Sequence, residues 1–146
     1  MEFINTKIFN VNNIISFSYV FDGCHSLKEL DLSHFKPEKI TKLEGTFRYC
    51  ELLEKIHLSN FNTTKIVSIN EIFNGCINLK DINISFINSS ALLSTAMAFY
   101  NCHSLTSLDF SAFNFRFLSN LEGMFFNCIN LKYLALPPEM KSIANT

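Results

Sequence analysis

Residues 21–35 read FDGCHSLKELDLSHF, and much the same stretch recurs four more times along the 146-residue chain. The recurrence has a constant spacing of 26 residues, which the five cysteines mark: Cys24, Cys50, Cys76, Cys102 and Cys128. A phenylalanine precedes each cysteine by three residues, and a leucine follows each by three. A fixed period of this kind is typical of repeat proteins, in which each unit buries its apolar side against the next unit.

The segment LKELDL predicts a short strand in each repeat. Its apolar residues Leu27, Leu30 and Leu32 have the i, i+3, i+5 spacing of a leucine-rich-repeat strand. In a strand over 29–33, Leu30 and Leu32 would point inward, and the alternate residues would point outward. Strands of successive repeats would then pair in parallel, ~4.8 Å apart.

The segment between two strands predicts a helix of about two turns. Ile40, Leu43 and Phe47 follow an i, i+3, i+7 pattern. The position just before Leu43 and its equivalents in the other repeats are rich in N-capping residues. This column of equivalent positions comprises Ser16, Lys42, Ser68, Ser94 and Asn120. One column at its end favours the left-handed conformation that terminates helices: Gly23, Tyr49, Gly75, Asn101 and Asn127.

The pattern F-x-x-C-x-x-L-x-x-L-D-L-S-x-F, from Phe21 to Phe35, resembles the BspA-like leucine-rich-repeat proteins, which are surface and secreted proteins of bacteria and some protists. With ITKLEGTFRYC between strands, the 26-residue unit is similar to repeats of mycoplasma-type surface lipoproteins. The resemblance covers roughly residues 4–136. It implies a right-handed, curved solenoid that takes part in adhesion or other protein binding, and it brings no catalytic residues.

We therefore predict an α/β solenoid: a right-handed leucine-rich-repeat array of about five 26-residue coils, with a parallel concave sheet and short convex helices. The chain is expected to form one domain over 1–146. Residues 1–20 would be a partial coil and 21–136 the repeats. Residues 137–146, where Pro137 and Pro138 break the pattern, would be an irregular cap or a truncated repeat.

Composition excludes several classes of function. A net charge of −1 with 17% charged residues does not favour nucleic acid as a partner. No apolar run approaches the ~20 residues that span a bilayer, so we expect no membrane insertion. The beginning MEFINTKIFN has no pattern of a secretory signal. The resemblance implies a surface or secreted location, and the missing signal makes a cytoplasmic location the alternative.

The cysteines are predicted to be a buried column of small apolar side chains. Zinc sites need clustered pairs such as C-x₂-C, and the sequence has none, so we expect no metal and no cofactor. The serine column has no histidine in phase with it, and each serine is expected to tie its turn: Ser33, Ser59, Ser85 and Ser111. We therefore expect the protein not to be an enzyme.

The outward positions of the strands are the candidate protein-binding residues. They are Glu29, Asp31, Lys55, His57, Asp81, Asn83, Ser107, Asp109 and Tyr133. Charges alternate in sign from Glu29 to Lys55 to Asp81, which predicts an ion-pair ladder that keeps the register. An alternative is that the less charged last repeats, with Tyr133 exposed, contact a partner. His57 could make a pH-sensitive contact.

The function that we expect is a non-catalytic protein-binding or adhesion module of a surface or secreted protein. Its partner would be a protein, for example from the extracellular matrix or a host cell surface. The alternative is an intracellular leucine-rich-repeat scaffold or a secreted effector module, which the unpaired cysteines favour. An end repeat could also stack on the end of another chain and cause end-to-end self-association.

Overall fold

The computed structural model describes residues 10–11, 13–59 and 61–141. Its regular elements are four strands of three residues each and one short helix. The strands are β1 (Glu29–Asp31), β2 (Lys55–His57), β3 (Ser107–Asp109) and β4 (Tyr133–Ala135), and the helix is α1 (Pro138–Lys141). All four strands lie at the position that the LKELDL pattern predicts for its repeat. Parts of the predicted end segments, 1–20 and 137–146, lie outside the described residues.

Strand pairing follows the 26-residue period. β1 pairs with β2 in parallel, with Glu29 opposite Lys55 and Asp31 opposite His57. β3 pairs with β4 in the same way, and Asp81 of the third repeat joins Ser107 through a single bridge. A second column of parallel bridges has the same offset: Ser16–Lys42, Ser68–Ser94 and Ser94–Asn120.

The predicted α/β solenoid is wrong. In the described part of the chain the strands form two separate two-stranded sheets, so there is no continuous concave sheet. The segments between strands are turns and irregular backbone, so there are no convex helices either. The one helix there, α1, follows the last repeat and has four residues. No helix in these residues is long and apolar enough to cross a membrane.

Left-handed residues explain why the predicted helices are absent. The column predicted to end each helix does adopt positive φ, between 56 and 78°. A second column, four residues earlier, is also left-handed, with φ between 53 and 60°; it comprises Tyr19, Gly45, Glu71, Met97 and Gly123. An α-helix requires negative φ throughout. Two left-handed residues per repeat therefore divide this segment into successive tight turns.

These turns satisfy their backbone hydrogen bonds between repeats instead of within a helix. The N–H of Phe17 donates to the Lys42 carbonyl at 2.9 Å, and the N–H of Tyr19 donates to the Glu44 carbonyl at 3.0 Å. The intervening Val20 N–H closes a turn on the Phe17 carbonyl. The pattern recurs in the first four repeats, and the last repeat keeps the turns. We call these segments the turn ladder: residues 17–24, 43–50, 69–76, 95–102 and 121–128. Because its donors are paired in this way, the segment needs no helix.

The core lies behind the turn ladder and contains a stack of phenylalanine rings. Phe47 and Phe73 have centroids 5.2 Å apart with planes at 13°, and Phe73 and Phe99 are 5.7 Å apart at 20°. The leucine after each cysteine is fully buried in repeats one to four, for example Leu53 and Leu79. Stacking one ring per repeat continues a single apolar core through units that are each too small to bury their own.

The repeats are not joined equally. The turn ladder crosses from the second repeat to the third, since the Phe47 N–H donates to the Ile72 carbonyl at 2.9 Å. On the strand side, in contrast, no backbone hydrogen bond between described residues joins 54–58 to 80–84. The second column of bridges is also interrupted between Lys42 and Ser68. We call this interruption of the strand pairing between β2 and residues 80–84 the seam.

Candidate protein-binding surface

Most of the predicted binding residues lie on one surface, which we call the strand surface. Eight of the nine lie on β1 to β4 or in the Asp81–Ser107 bridge, and Asn83 lies two residues after Asp81, outside any strand. Eight are exposed and Ser107 is half-buried. Their inward neighbours Leu30 and Leu108 are buried. The period of two along a strand thus separates core from surface as the sequence predicts.

β4 departs from this alternation. Tyr133 is 59% exposed, and the next residue, Leu134, is 37% exposed although its equivalents Leu30 and Leu108 are buried. The last described strand therefore presents more apolar area than the other three. Exposed aromatic and aliphatic side chains next to polar ones are typical of surfaces that bind proteins.

The predicted ion-pair ladder is wrong at the pair on which it was based. Glu29 and Lys55 lie opposite each other, but within the described ranges the ion pairs at 4.0 Å or less involve other residues. Asp81 is instead held by hydroxyl groups, since its Oδ1 accepts from Thr106 Oγ1 at 2.9 Å and from Ser107 Oγ at 3.3 Å. Register is therefore kept by hydrogen bonds here.

A side-chain turn follows the strand position in three repeats. The Oδ1 atoms of Asp31, Asn83 and Asp109 accept from the backbone N–H two residues later, at 2.8 to 2.9 Å. The donors are Ser33, Ser85 and Ser111, so the serine column ties the turn through its backbone. Hydrogen bonding by Ser33, from its side chain and then its backbone, lowers the pKa of Asp31. Ser111 lowers the pKa of Asp109 in the same way.

His57 occupies this position in the second repeat, where an aspartate or asparagine would form the turn. An imidazole ring cannot replace the short carboxylate in that turn, and His57 instead lines a cleft of about 340 Å³ at the ends of the first three strand positions. The other residues that line the cleft are Asp31, Ser33, Ile56, Leu58, Ser59, Asn83, Ser85 and Phe86. The strand-surface residues Asp31, His57 and Asn83, from three repeats, thus converge on one concavity.

Neither the seam nor the cleft is apparent from the sequence. Strand patterns are strong in the second and third repeats alike, so local periodicity gives no sign that their pairing is interrupted. His57 in place of Asp31 and Asp109 is a signal in the sequence, because it removes the residue that forms the side-chain turn, but Ala135 in the fifth repeat shares this feature.

A cluster around Arg48 is a second feature that the repeat pattern does not predict. Its Nε and Nη2 donate to both carboxylate oxygens of Asp22 at 2.9 and 2.8 Å, and its Nη1 lies 3.2 Å from Glu71 Oε2. Its guanidinium lies over the rings of Tyr19 and Tyr49, at 5.1 and 5.3 Å. This cluster links the first three repeats and crosses the seam on the turn-ladder side. Its geometry suits a structural clamp.

The predicted buried column of cysteines is confirmed for the three central repeats, whereas Cys24 and Cys128 are half-buried. All five are free thiols, and Cys50, Cys76 and Cys102 are buried. Each Sγ from Cys50 onward donates to the phenylalanine carbonyl 29 residues earlier, as Cys76 does to Phe47 at 3.0 Å. Burial raises the pKa of Cys50 to about 12 and that of Cys76 well above its ordinary value. In the described residues, no three His, Cys, Asp or Glu side chains cluster as metal ligands would.

Comparisons with known proteins identify the family. No curated protein and no solved structure matches the chain. The family described as "Mycoplasma protein of unknown function, DUF285" matches residues 2–56 and 15–135. This match agrees with the predicted resemblance to mycoplasma-type and BspA-like repeats, and the leucine-rich-repeat subtype stays a prediction. Because the matched residues cover most of its length, the chain belongs to the DUF285 family.

Proposed function

We propose that this chain is a non-catalytic, protein-binding module of a surface or secreted protein, and that the strand surface contacts its partner. One observation carries the proposal: the outward residues of successive repeats are exposed and lie in register. The resemblance to surface and secreted repeat proteins supports the location and a role in adhesion. A partner from the extracellular matrix or a cell surface is the one we favour.

The composition of the strand surface supports a protein as the partner. Acidic residues, Lys55 and His57 alternate along it, so it has no single sign of charge that would favour a polyanion. Its last strand adds Tyr133 and Leu134, which are exposed. A polar surface with an aromatic anchor at one end is typical of transient protein interfaces.

The burial of the cysteine thiols and the place of the serines in turns support a non-catalytic module. A cysteine nucleophile must be accessible and ionised, whereas the three central thiols are buried, and burial raises their pKa values. The serines of the strand surface belong to the side-chain turns, and no histidine recurs in phase with them.

Binding can be tested with a panel of purified extracellular-matrix proteins, including collagen and laminin, immobilised on a biosensor. We expect Tyr133→Ala and Lys55→Glu each to weaken capture at least about tenfold, the loss of ~1.4 kcal/mol that a peripheral hot spot contributes. The matched controls are Phe117→Ala and Lys65→Glu, which alter exposed residues outside the strands. Equal capture by all four variants would assign binding to another surface.

An intracellular scaffold or a secreted effector is the second candidate. The observation that favours it is the presence of five free cysteines, since oxidising compartments favour disulfides. Protease treatment of intact cells that express the full-length gene product separates the two. Cleavage of the repeat region without cell lysis supports the surface module, and complete protection supports the intracellular one.

A further inference from the structure

We infer that the cleft at the strand ends binds an arginine side chain of the partner, with the Asp31 carboxylate as the group that pairs with the guanidinium. This inference rests on the proposed function and makes it more specific, since it names the side chain that is recognised and the place where it binds. Arginine is one of the three residue types that most often contribute a large share of the binding energy at protein interfaces.

The cleft is part of the surface that the proposed function assigns to the partner. Three of the residues that line it, Asp31, His57 and Asn83, are exposed residues of the strand surface. Its volume of about 340 Å³ is at the lower end of the range of about 300–1,000 Å³ that is typical of ligand pockets. This size suits one long side chain of a protein that lies across the strands.

The charge of the lining favours a cation. Among the described residues that line the cleft, Asp31 is the one acidic side chain, and none is a lysine or an arginine. Hydrogen bonding by Ser33 lowers the pKa of Asp31, so this carboxylate is ionised at neutral pH. A negative charge in the lining attracts a cationic group and repels an anionic one.

The basic residues around the cleft leave this charge effective at pH 8. Lys55, which lies two residues before His57 in β2, is opposite Glu29, so a carboxylate accompanies its ammonium group. His57 and His34 are near enough to interact with the Asp31 carboxylate. Because histidine gains charge as the pH falls from 8 to 5, the cleft should bind a cation more strongly at pH 8 than at pH 5.

The lining suits a guanidinium better than an ammonium group. A guanidinium has five N–H donors in a planar fork, which can pair with a carboxylate through two bonds, and its face stacks on aromatic rings. Around Asp31 the cleft offers the hydroxyl groups of Ser59 and Ser85 as further acceptors. The His57 ring can stack on the guanidinium, and Ile56 can contact the aliphatic part of the arginine.

The polar side chains of the cleft are oriented without a ligand. The Oδ1 of Asp31 accepts from the Ser33 N–H at 2.8 Å, and the Oδ1 of Asn83 accepts from the Ser85 N–H at 2.9 Å. A carboxylate can accept about four hydrogen bonds, so the turn does not prevent Asp31 from pairing with a guanidinium. A site that is ordered before binding costs less conformational entropy to fill.

Other ligands of similar size fit this lining less well. A metal ion would need several charged or imidazole ligands, and no three His, Cys, Asp or Glu side chains cluster in the part of the chain that the structure describes. A neutral saccharide could bond the hydroxyl groups but would leave the charge of Asp31 uncompensated. A phosphate or a carboxylate would be repelled by it.

The first experiment titrates the intact chain by NMR with the acetylated and amidated tripeptide Gly-Arg-Gly at pH 8 and constant ionic strength. The titration runs to about 100 mM, which is ten times a weak Kd of about 10 mM. We expect saturable shifts at the amides of Asp31, His57 and Asn83. The same peptide with citrulline, the uncharged analogue of arginine, should bind at least about threefold more weakly.

A lysine peptide and maltotriose complete this series. Gly-Lys-Gly should bind at least about twofold more weakly than Gly-Arg-Gly, because an ammonium group cannot form the bidentate pair. Maltotriose should give no saturable shift. The inference is overturned if the arginine peptide gives no saturable shift, if the citrulline or lysine peptide has the same Kd, or if maltotriose saturates the cleft.

The second experiment removes the charge of Asp31. Asp31→Asn should keep the turn, since Asn83 forms the same turn with its amide oxygen, and it should weaken binding of the arginine peptide at least about threefold. Glu38→Gln is the matched control, because it removes an exposed carboxylate that does not line the cleft, and it should leave the Kd unchanged. An equal Kd for Asp31→Asn and the unmodified chain would refute the role of Asp31.

Paired variants locate the site. Ser85→Trp places a large ring in the cleft and should abolish the shifts, whereas Ser111→Trp alters the equivalent exposed serine one repeat later and should leave them unchanged. Loss with both variants or with neither would contradict the cleft as the site.

The capture experiment separates this inference from the proposed function. We expect Asp31→Asn to weaken capture by the immobilised matrix proteins as well. Peptide binding that fails while capture still depends on Tyr133 would refute this inference and leave the proposed function standing. Capture that depends on none of Tyr133, Lys55 and Asp31 would refute the proposed function, and with it an arginine of the partner in the cleft.

Discussion

At the scale of single residues, the residue type at each repeated core position depends on the size of its side chain as well as on its polarity. A thiol is small enough for the turn at Cys76 and still donates to the Phe47 carbonyl of the preceding repeat. Gly75, beside it, has φ of 78° and faces the Tyr49 ring. These two residues show why the third repeat tolerates little change at its turn.

The first residue-scale prediction concerns thiol reactivity. In the native protein at pH 8, we expect iodoacetamide to modify the buried Cys50, Cys76 and Cys102 at least about 100-fold more slowly than in urea, because burial raises their pKa values and excludes the reagent. The half-buried Cys24 and Cys128 should react first. Mass spectrometry of peptides gives each rate, and rapid modification of Cys76 under native conditions would contradict the packing.

The second prediction concerns Gly75. A Cβ at Gly75 would lie 2.5 Å from Tyr49 Cδ1, whereas one at Gly23 would have its nearest neighbour at 3.6 Å. Both positions are left-handed. We expect Gly23→Ala to cost about 1 kcal/mol for the backbone alone, and Gly75→Ala about 2–4 kcal/mol because the overlap adds to it.

Urea unfolding measures both costs. In a Tyr49→Ala background the ring is absent, so the cost of Gly75→Ala should fall to that of Gly23→Ala. If the cost of Gly75→Ala stays unchanged in that background, the ring is not the cause.

At the scale of elements, the turn ladder replaces the helix that the apolar spacing predicts. In the first four repeats, its alternate N–H groups bond the next repeat and most of the others close β-turns on the carbonyl three residues earlier, so these donors have partners without an i to i−4 bond. The Arg48 cluster strengthens the first three segments of the ladder, because Arg48 in the second segment joins Asp22 in the first and Glu71 in the third.

The prediction for this element is a dependence of stability on pH. The bond from Arg48 lowers the pKa of Asp22 in the folded state. A carboxylate with a lowered pKa stabilises the fold above its unfolded pKa of about 3.9, and that contribution is lost as the pH falls through the folded pKa. We expect Asp22→Asn to cost about 1–2 kcal/mol near pH 7, and we expect that cost to shrink as the pH falls through the folded pKa of Asp22.

Thermal or urea unfolding between pH 2 and pH 7 gives this difference. Glu38→Gln is the control, because Glu38 is exposed and makes no ion pair in the described part of the chain. A cost for Asp22→Asn that does not change with pH would exclude the ion pair as its source.

At the scale of the whole molecule, the repeats share one core. The ring stack passes from Phe21 through Phe47, Phe73 and Phe99 to Phe125, with neighbouring planes within 20°. The two sheets do not join across the seam, so the core and the turn ladder connect the halves. A defect in a central repeat should therefore affect both halves.

Leu79→Asp tests this coupling. Leu79 is fully buried in the third repeat, and an unpaired carboxylate there costs several kcal/mol. Because single repeats are not stable alone, we expect the whole chain to unfold, as measured by loss of the protected amides of Phe21 and Phe99 together. Lys80→Asp, at the exposed neighbouring position, should leave the fold intact. Retention of native protection around Phe99 in Leu79→Asp would contradict a shared core.

The sequence by itself determined the period, the core columns, the place of the strands and the outward position of the binding candidates. It could do so because the same apolar spacing is repeated five times, and each copy meets its own equivalent 26 residues away. The left-handed residues at Gly23 and Gly75 were also readable, since glycine favours that conformation.

Only the tertiary structure decided that the segment between strands is a ladder of turns, that the strands split into two sheets, and that a cleft forms at His57. The i, i+3, i+7 spacing of Ile40, Leu43 and Phe47 fits a helix locally. The backbone groups instead find their partners in the neighbouring repeat, and that choice is made by contacts 25 or 26 residues apart. A local pattern carries no information about whether such a distant partner is present, so neither the ladder nor the seam could be read from it.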